Sequence, residues 1–412
     1  MLTGRSHVEA TAHPINRTMR KLAIVTLLFL LTPLHTNAQQ PGPRPTGHSL
    51  IGLPAVNYDA DEGFGYGVQL QYYDYGEKGV QPYRFSLQPT VFFTTRGRRD
   101  VTLFIDAPHF LPGGWRANAQ LAREKQLTAP YYGIGNNTQN LESATKSPNP
   151  YFYRFGRTVL RANADFQHSL GVPALRVLAG VGSRQADVKT VPYDSGTTLL
   201  AQQTGSARLP RVDTRYARVG LVWDSRDHEI GPHTGNWSEI LVQRAGRVLG
   251  GDQVFTRITG TVRQYVPLGD DVTLAERVVM QTTRGNPAVS EIFAVQSSFR
   301  DDEILGGATS LRGIPKNRYV GKGVAFANSE LRWSATQFGL LGRPTRLILS
   351  GFVDAGRVWT DGLDLSSGFE QLHVGYGGGV RLAVGPTFVV AADVGHSSQS
   401  TAAIYVGIGY IY

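Results

Sequence analysis

From Thr158 to Gln167 the chain reads TVLRANADFQ, ten residues in which apolar and polar side chains alternate. The apolar positions are Leu160, Ala162, Ala164 and Phe166, and the polar positions are Arg161, Asn163, Asp165 and Gln167. Successive side chains of a β-strand point to opposite faces. The spacing therefore predicts a strand with one apolar and one polar face.

The same alternation recurs along the chain. It is found again at 68–72, 115–121, 217–223 and 406–410. Clusters of turn-forming residues separate these stretches, and no helical period of any length follows residue 40. We therefore expect the chain after residue 40 to be all β.

The two faces of these strands differ in a way that favours a membrane barrel. One face repeatedly carries Arg, Asp, Glu and Gln, while the other carries Leu, Val, Ala and aromatic residues. Long strands with this pattern are typical of an outer-membrane barrel, whose wall faces lipid outside and a polar lumen inside. Closure also removes the open edge that lipid does not tolerate. We expect a transmembrane antiparallel β-barrel over 50–412.

The length is compatible with sixteen strands. Residues 50–412 leave about 23 positions for each of sixteen strands and its connection, although twelve or eighteen strands also fit the length. Long loops are expected at 127–150, 191–211 and 284–322. The third is too long for a passive hairpin, and loops of this length are usually functional or disordered.

Composition excludes several classes of protein. The chain has no cysteine, which excludes a disulfide scaffold, a thiol nucleophile and any cysteine-ligated metal. Glycine accounts for 48 of 412 residues, against roughly 29 at an average usage of about 7%. The net charge is +9, but the basic residues, 34 Arg and 7 Lys, are scattered among 32 acids. No basic stripe indicates a nucleic-acid partner.

The first forty residues have the features of a signal peptide. Arg20 and Lys21 precede a nearly continuous apolar run at 22–31, and small residues follow at Thr36 and Ala38. We expect residues 1–38 to be removed, with the natural start at Met19. The segment 39–49 is then a short Pro- and Gly-rich periplasmic stretch before the barrel. No later segment has the 18 consecutive apolar residues of a transmembrane helix.

The third long loop contains the motif that suggests a family. It reads LGGATSLRG from Leu305 to Gly313 and includes Gly306, Gly307, Leu311 and Arg312. The chain here resembles the barrel domain of the BamA/TamA outer-membrane assembly superfamily, also called bacterial surface antigens. In that family a long loop folds into the lumen and carries a hydrophobe-Arg-Gly-aromatic motif at its tip. Ile314 stands here in place of the aromatic residue.

Three further motifs match the same family in the expected order. They are DSRD at 224–227 with GPHTG at 231–235, NSELR at 328–332 and GFVDAGRVW at 351–359. A weaker match is YYGIGN at 131–136. Together they extend the resemblance over about residues 50–412, and the first is a strand-to-turn motif that comprises Asp224, Arg226, Asp227, Pro232 and Gly235.

The resemblance nominates wall partners for the loop. It implies that Glu330, Arg332 and Asp354 face the lumen beside Arg312. A buried arginine is tolerable where carboxylates pair with it, and each charge-assisted contact is worth about 1.5–3 kcal/mol. The alternative is that Arg312 is a solvated loop residue.

The Asp224–Asp227 cluster allows two interpretations. Carboxylates suit calcium, but Arg226 lies between them and neighbouring strand residues face opposite sides. We expect a lumenal salt bridge rather than a metal site, and solvated rather than zinc-bound side chains at His228 and His233. No cofactor is expected.

The last strand is expected to run from Ala403 to Tyr412. Gly407 and Gly409 would weaken its pairing. The terminal aromatic residue resembles the signal that the assembly machinery reads, and it is also suited to anchor the barrel at the membrane interface.

No catalytic motif is present: the chain has no GxSxG, no HExxH and no phosphate-binding loop. We therefore expect a non-enzymatic barrel of the bacterial outer membrane. The resemblance implies assembly or translocation of outer-membrane proteins through a lateral seam, with membrane lipid, unfolded proteins or a periplasmic accessory subunit as partners. Family insertases carry polypeptide-transport-associated domains, and none fits in the dozen residues before the first strand. A stand-alone structural barrel, a narrow pore and a lipid scramblase remain alternatives.

Overall fold

The computed structural model describes residues 46–59, 62–145, 149–193, 196–340, 343–385, 388–410 and 412. The expected signal peptide, 1–38, and most of the expected periplasmic stretch, 39–45, lie outside the described residues. No helix among the described residues is long and apolar enough to cross a membrane.

Sixteen antiparallel strands in the described part of the chain close into one barrel. Each pairs with its neighbours in sequence, except that β11 (Val272–Asn286) pairs with β14 (Gly323–Leu340) across a long connection and β18 (Ser400–Ile408) returns to β1 (Gly47–Asp59). This confirms the expected sixteen-stranded barrel. The barrel strands are β1 (Gly47–Asp59), β2 (Gly63–Gly76), β3 (Phe85–Thr94), β4 (Arg98–Leu111), β5 (Trp115–Pro130), β6 (Arg154–Ser169), β7 (Leu175–Lys189), β8 (Val212–Asp224), β9 (Gly235–Ala245), β10 (Val254–Pro267), β11 (Val272–Asn286), β14 (Gly323–Leu340), β15 (Arg343–Trp359), β16 (His373–Val384), β17 (Phe388–Ser397) and β18 (Ser400–Ile408).

Several expected boundaries were wrong by a few residues. The first strand begins at Gly47 rather than at 50, because residues 47–49 already pair with β2. The first long loop spans 131–153 rather than 127–150, since Ala129 and Pro130 still pair with β6. The last strand ends at Ile408, so Gly409 and Tyr412 lie beyond it.

The connections between barrel strands contain a little further structure. A six-residue helix, α1 (Leu199–Thr204), lies in the second long loop, where Thr198 caps its start and Gly205 its end. It was missed because six residues are too few to show a helical period. The third long loop, 287–322, contains two short paired strands, β12 (Ala294–Val295) and β13 (Asp302–Glu303).

The alternation seen at 158–167 is the alternation of the barrel wall. Leu160 and Phe166 are 51% and 44% exposed on the outer face, whereas Asp165 between them is fully buried on the inner face. An apolar outer face and a polar inner face are what a lipid-facing barrel requires.

The two ends of the barrel differ in the length of their connections. At one end, called here the loop end, lie the connections 131–153, 190–211, 287–322 and 360–372. At the other, the turn end, lie the shorter connections 112–114, 170–174 and 268–271.

Candidate functional site

Arg312, in the second half of the 287–322 loop, is completely buried. Its guanidinium makes a bidentate contact with Asp354 on β15, through Nε at 2.8 Å and Nη2 at 3.0 Å. Its Nη1 donates to Glu330 on β14 at 2.8 Å, and its backbone N–H donates to Asp354 Oδ2 at 3.0 Å. The structure thus brings together Arg312 and two of its three expected wall partners.

The third expected partner, Arg332, is linked to Arg312 through the carboxylate of Glu330. Its Nε donates to Glu330 Oε1 at 2.8 Å, on the side of the carboxylate away from Arg312. Asp393 of β17 accepts from Arg312 Nη1 at 3.3 Å, and Arg381 of β16 donates to both Asp393 and Glu330. These six side chains, named here the Arg312 cluster, carry three positive and three negative charges. That balance is what allows them to be buried.

Two uncharged residues complete the surroundings of Arg312. Its guanidinium carbon lies 3.3 Å from the ring centroid of Phe352, which adds a cation–π contact. Asn328 donates to Asp354 Oδ1 at 2.8 Å and to Ser310 O at 2.6 Å, so it links the loop to the wall. Phe352 and Asn328 lie inside the quoted motifs and could have been nominated from them.

The backbone of the loop tip, defined here as residues 311–316, lies close to the wall. A Cβ atom on Gly375 would lie 1.8 Å from Arg312 O, and one on Gly395 would lie 2.5 Å from Gly313 N. Gly313 itself has a φ of 88°, which disfavours any residue with a side chain. Ile314, at the position expected to be aromatic, is buried in the apolar cluster that the loop forms with the wall.

Anchors of the loop come from strands all around the barrel. Ser298 N–H donates to Glu239 on β9, Arg218 on β8 donates to Ser297 O, and Arg300 donates to Gln88 on β3. Further contacts come from Arg184 of β7, Arg257 of β10 and Arg277 of β11. A segment that contacts the inner faces of strands on opposite sides of a closed barrel lies within that barrel.

The seam between β1 and β18 is the least paired junction of the barrel. Within the described residues, β1 pairs with β18 only through Tyr58–Val406 and Asp59–Tyr405, at the loop end. The same strand makes thirteen residue pairs with β2. A cavity of about 310 Å³ opens along the seam, bordered by Asn57 and by residues 405–410.

The end of the chain turns away from this seam. Gly409 has a φ of 96°, and Tyr412 beyond it is buried among Tyr265, Ala275 and Arg332. The Tyr412 hydroxyl donates to Ala275 O at 3.0 Å. Tyr412 is therefore not the interfacial anchor that we expected, because inward-facing polar partners hold it inside.

The tip of the loop contacts both sides of the seam. On the β18 side, Gly313 N–H donates to the Tyr405 hydroxyl at 3.0 Å. On the β1 side, Lys316 Nζ lies 2.7 Å from Glu62 Oε1, in the turn that follows β1, and 2.6 Å from Glu303. Gly313 belongs to the quoted loop motif, but sequence reasoning missed Tyr405, Lys316, Glu62 and Glu303 because no motif marks them.

Charge stabilises the contact on the β1 side. Burial raises the pKa of Glu62, but Arg98 and Lys316 more than offset burial and hold the pKa well below its usual range. Burial lowers the pKa of Lys316, but Glu303 and Glu62 outweigh it and the net shift is upward. Both groups are therefore charged at neutral pH.

The strand-to-turn motif forms a compact turn. Arg226 makes a bidentate contact with Asp224 at 2.9 and 3.0 Å, and Asp227 accepts from the backbone N–H groups of His233 and Thr234. Pro232 is buried in this turn. Gly235 begins β9, and a Cβ there would lie 2.3 Å from Ser225 O.

The histidines of this turn have protein partners. His228 lies 3.3 Å from Asp227, and the His233 ring contacts Thr273. Within the ranges that the structure describes, no group of three or more His, Asp or Glu side chains is placed to hold a metal ion.

Three solved structures have a similar fold. BamA of Haemophilus ducreyi lacking POTRA domains 1–3 aligns with a TM-score of 0.56 and 13% identity over 89% of this chain and 70% of its own. CdiB of Escherichia coli aligns with a TM-score of 0.55 and 12% identity over 90% of this chain. CdiB of Acinetobacter baumannii aligns with a TM-score of 0.50 and 12% identity over 88% of this chain. The chain spans 63% and 59% of the two CdiB chains.

A search of curated protein sequences finds no match. The Omp85 superfamily domain, however, matches residues 86–410, which is most of the barrel. The chain therefore belongs to the Omp85 superfamily, whose barrels reside in the bacterial outer membrane and serve protein assembly or translocation.

Proposed function

We propose that this barrel inserts or translocates polypeptides through the seam between β1 and β18. The observation that carries the proposal is the pairing of that seam, which consists of two residue pairs among the described residues. A closed barrel in lipid must satisfy every backbone polar group. A seam that leaves most of one strand edge unpaired is therefore the place where the wall opens at least cost.

The free edge of β1 is suited to take up an incoming strand. Residues 47–57 pair with β2 on one side and with no other strand of the described chain on the other. An extended substrate segment can add to such an edge through main-chain hydrogen bonds, which is β-augmentation. The partner fitted to this edge is an unfolded outer-membrane protein strand, whose alternating side chains match the two faces of the wall.

In this proposal the loop tip holds the two sides of the seam together, and we call it the latch. It contacts β18 through Gly313 and Tyr405 and the β1 turn through Lys316 and Glu62. The Arg312 cluster fixes the loop tip against strands β14–β17. In this proposal these strands stay in place while the seam between β1 and β18 opens. No covalent step is involved, and we propose no enzymatic activity.

The proposal is tested by locking the seam. Cysteines at Tyr58 and Val406 face each other across it, and directly opposed residues lie within disulfide range. We expect proteoliposomes containing the wild-type barrel to accelerate folding of a small test barrel protein, and the oxidised Tyr58→Cys/Val406→Cys variant to lose that acceleration. Reduction should restore it.

A matched control places the disulfide in a junction that is fully paired. Val56 and Tyr66 face each other between β1 and β2, and the oxidised Val56→Cys/Tyr66→Cys variant should keep full activity. Equal folding rates with empty and loaded liposomes would overturn the proposal. If the loaded liposomes also conduct ions, the barrel is a pore.

A further inference from the structure

Three basic side chains share the outer face of β4 and β5 near the loop end. Arg99 and Lys125 stand directly opposite each other in the ladder, and Arg123 precedes Lys125 by two residues on the same face. Asp100 and Gln126, which alternate with them, are buried on the inner face. Alternation therefore places the three basic groups on the outside of the barrel.

Within the residues that the structure describes, no side chain compensates the charges of these three groups. None of them makes a hydrogen bond or ion pair with a residue in the described part of the chain. Like charges placed directly opposite each other in a ladder are destabilising. By contrast, Arg215 on the outer face of β8 pairs with Asp213 at 3.1 Å, and Arg208 pairs with Asp187. The uncompensated cluster indicates an anion that comes from outside the chain.

A cleft of about 850 Å³ adjoins this cluster at the rim of the barrel. Arg99 and Arg154 line it together with the aromatic side chains of Tyr66, Phe93 and Tyr193. Aromatic residues at the rim with basic residues among them are suited to a headgroup that lies at the membrane interface.

The wall below the cluster is apolar. Val101 on β4 and Leu160 on β6 stand directly opposite Arg123 in the ladder, two residues closer to the turn end than Arg99 and Lys125, and Leu121 on β5 lies two residues further along; all three are about half exposed on the outer face. A ligand bound here would place an anionic group against the basic cluster and hydrocarbon against these three side chains.

The loop end of the barrel identifies the leaflet. In bacterial outer-membrane barrels the longer loops face the cell exterior and the short turns face the periplasm. We propose that Arg99, Arg123 and Lys125 bind the phosphate groups of an anionic glycolipid in the outer leaflet. Guanidinium groups bind phosphate through paired N–H donors, which favours arginine at two of the three positions.

The test compares two glycolipids that differ only in phosphate. The full chain is placed in nanodiscs of neutral phosphatidylcholine, and binding of bisphosphorylated lipid A and of its dephosphorylated form is measured by native mass spectrometry. We expect wild type to prefer the phosphorylated form by at least about tenfold. The Arg99→Gln/Arg123→Gln/Lys125→Gln variant should lose that preference.

Two controls distinguish binding at these three residues from a general effect of basic side chains and from misfolding of the variant. Arg215→Gln removes an outer basic residue that is already paired and should leave the preference unchanged, as should the charge-conserving Lys125→Arg. If the triple variant fails the heat-modifiable mobility check for folding, Arg123→Gln alone should reduce the preference. Equal binding of both lipid A forms, full preference in a folded variant, or equal affinity for phosphatidylglycerol would overturn the proposal.

Discussion

Arg312 is the residue on which the loop depends most. It is buried against Glu330, Asp354 and Asp393, with Arg332 and Arg381 as the other cations of the cluster. Arg312→Ala would leave these carboxylates undercompensated in a buried site, and breaking a buried pair by removing one partner costs about 3–5 kcal/mol. We expect a loss of that size in the free energy of unfolding, measured by urea titration of the detergent-solubilised barrel.

The control for Arg312 is an arginine whose ion pair is exposed. Arg208 pairs with Asp187 at the surface and is 62% exposed. Such pairs contribute little, so Arg208→Ala should change the free energy of unfolding by less than about 0.5 kcal/mol. Equal effects of the two substitutions would show that the Arg312 cluster carries no special stability.

The ionised carboxylate of Glu62 makes the stability of the folded barrel depend on pH in a predictable direction. Its carboxyl has a pKa lowered from a usual 4.5, so it stabilises the folded state fully above that value and loses the contribution as pH falls toward the lower folded pKa. The difference in thermal midpoint between wild type and Glu62→Gln should therefore be constant from pH 8 to about pH 5 and shrink below about pH 4.5. A difference that already shrinks between pH 8 and 6 would contradict this assignment.

How far the site could be predicted from sequence follows from where its partners lie. Arg312, Glu330 and Asp354 each belong to a short motif that can be recognised in the sequence, and the structure brings all three together. Arg381 on β16 and Asp393 on β17 lie outside any motif. Asp393 contacts Arg312, and Arg381 contacts Asp393 and Glu330, because β15, β16 and β17 pair side by side in the register that the structure shows. Such contacts depend on register, which local sequence does not encode.

At the scale of elements, removing a contact of the latch should make the strands of the seam open more often. Lys316→Met removes the cation beside Glu62 and leaves the two seam pairs without that support. We expect faster hydrogen–deuterium exchange in peptides covering 53–59 and 400–408, with no change in the fully paired β6–β7 hairpin. Local opening is reported by exchange in this way.

Lys322 provides the matched control. It lies at the end of the same loop, at the start of β14, and Lys322→Met should leave exchange at the seam unchanged. Faster exchange throughout the barrel in Lys316→Met would indicate a general loss of stability rather than a latch.

The pattern of strands was easier to predict than their ends. Alternation at 158–167 and 217–223 is dictated by one face in lipid and one in the lumen, so it appears in the sequence. The inward turn after Ile408 depends instead on contacts of Tyr412 with Arg332 and Ala275, which lie 80 and 137 residues earlier in the chain. An aromatic residue at that position looks the same in sequence whether it faces lipid or is buried.

At the scale of the whole molecule, the contacts of the loop with strands around the inner wall predict a restricted path for ions. The segment 287–322 contacts strands from β3 to β18 and packs its own apolar residues inside the barrel. We expect wild type to show low conductance in planar bilayers, and a variant in which 296–316 is replaced by a short Gly-Ser connection to conduct several times more. Equal conductance of the two would show that the loop leaves an open path.

A control for conductance shortens a loop outside the lumen. Replacing the exposed residues 247–250, between β9 and β10, with two glycines removes mass from the loop end and leaves the 287–322 segment intact. Its conductance should equal that of wild type. A rise of the same size in both variants would locate the barrier at the loop end rather than within the barrel.

The position of Arg312 in the chain has a consequence for the order of folding. Its carboxylate partners Glu330, Asp354 and Asp393 all follow it, within 81 residues. The last third of the chain can therefore condense around the loop tip before the first strands arrive, because short loops close at lower entropic cost than long ones. In pulse-labelled folding, the backbone amides of β14–β17 should become protected from hydrogen exchange before those of β1–β3. Strand β1 should pair last, after the other strands have assembled around the loop.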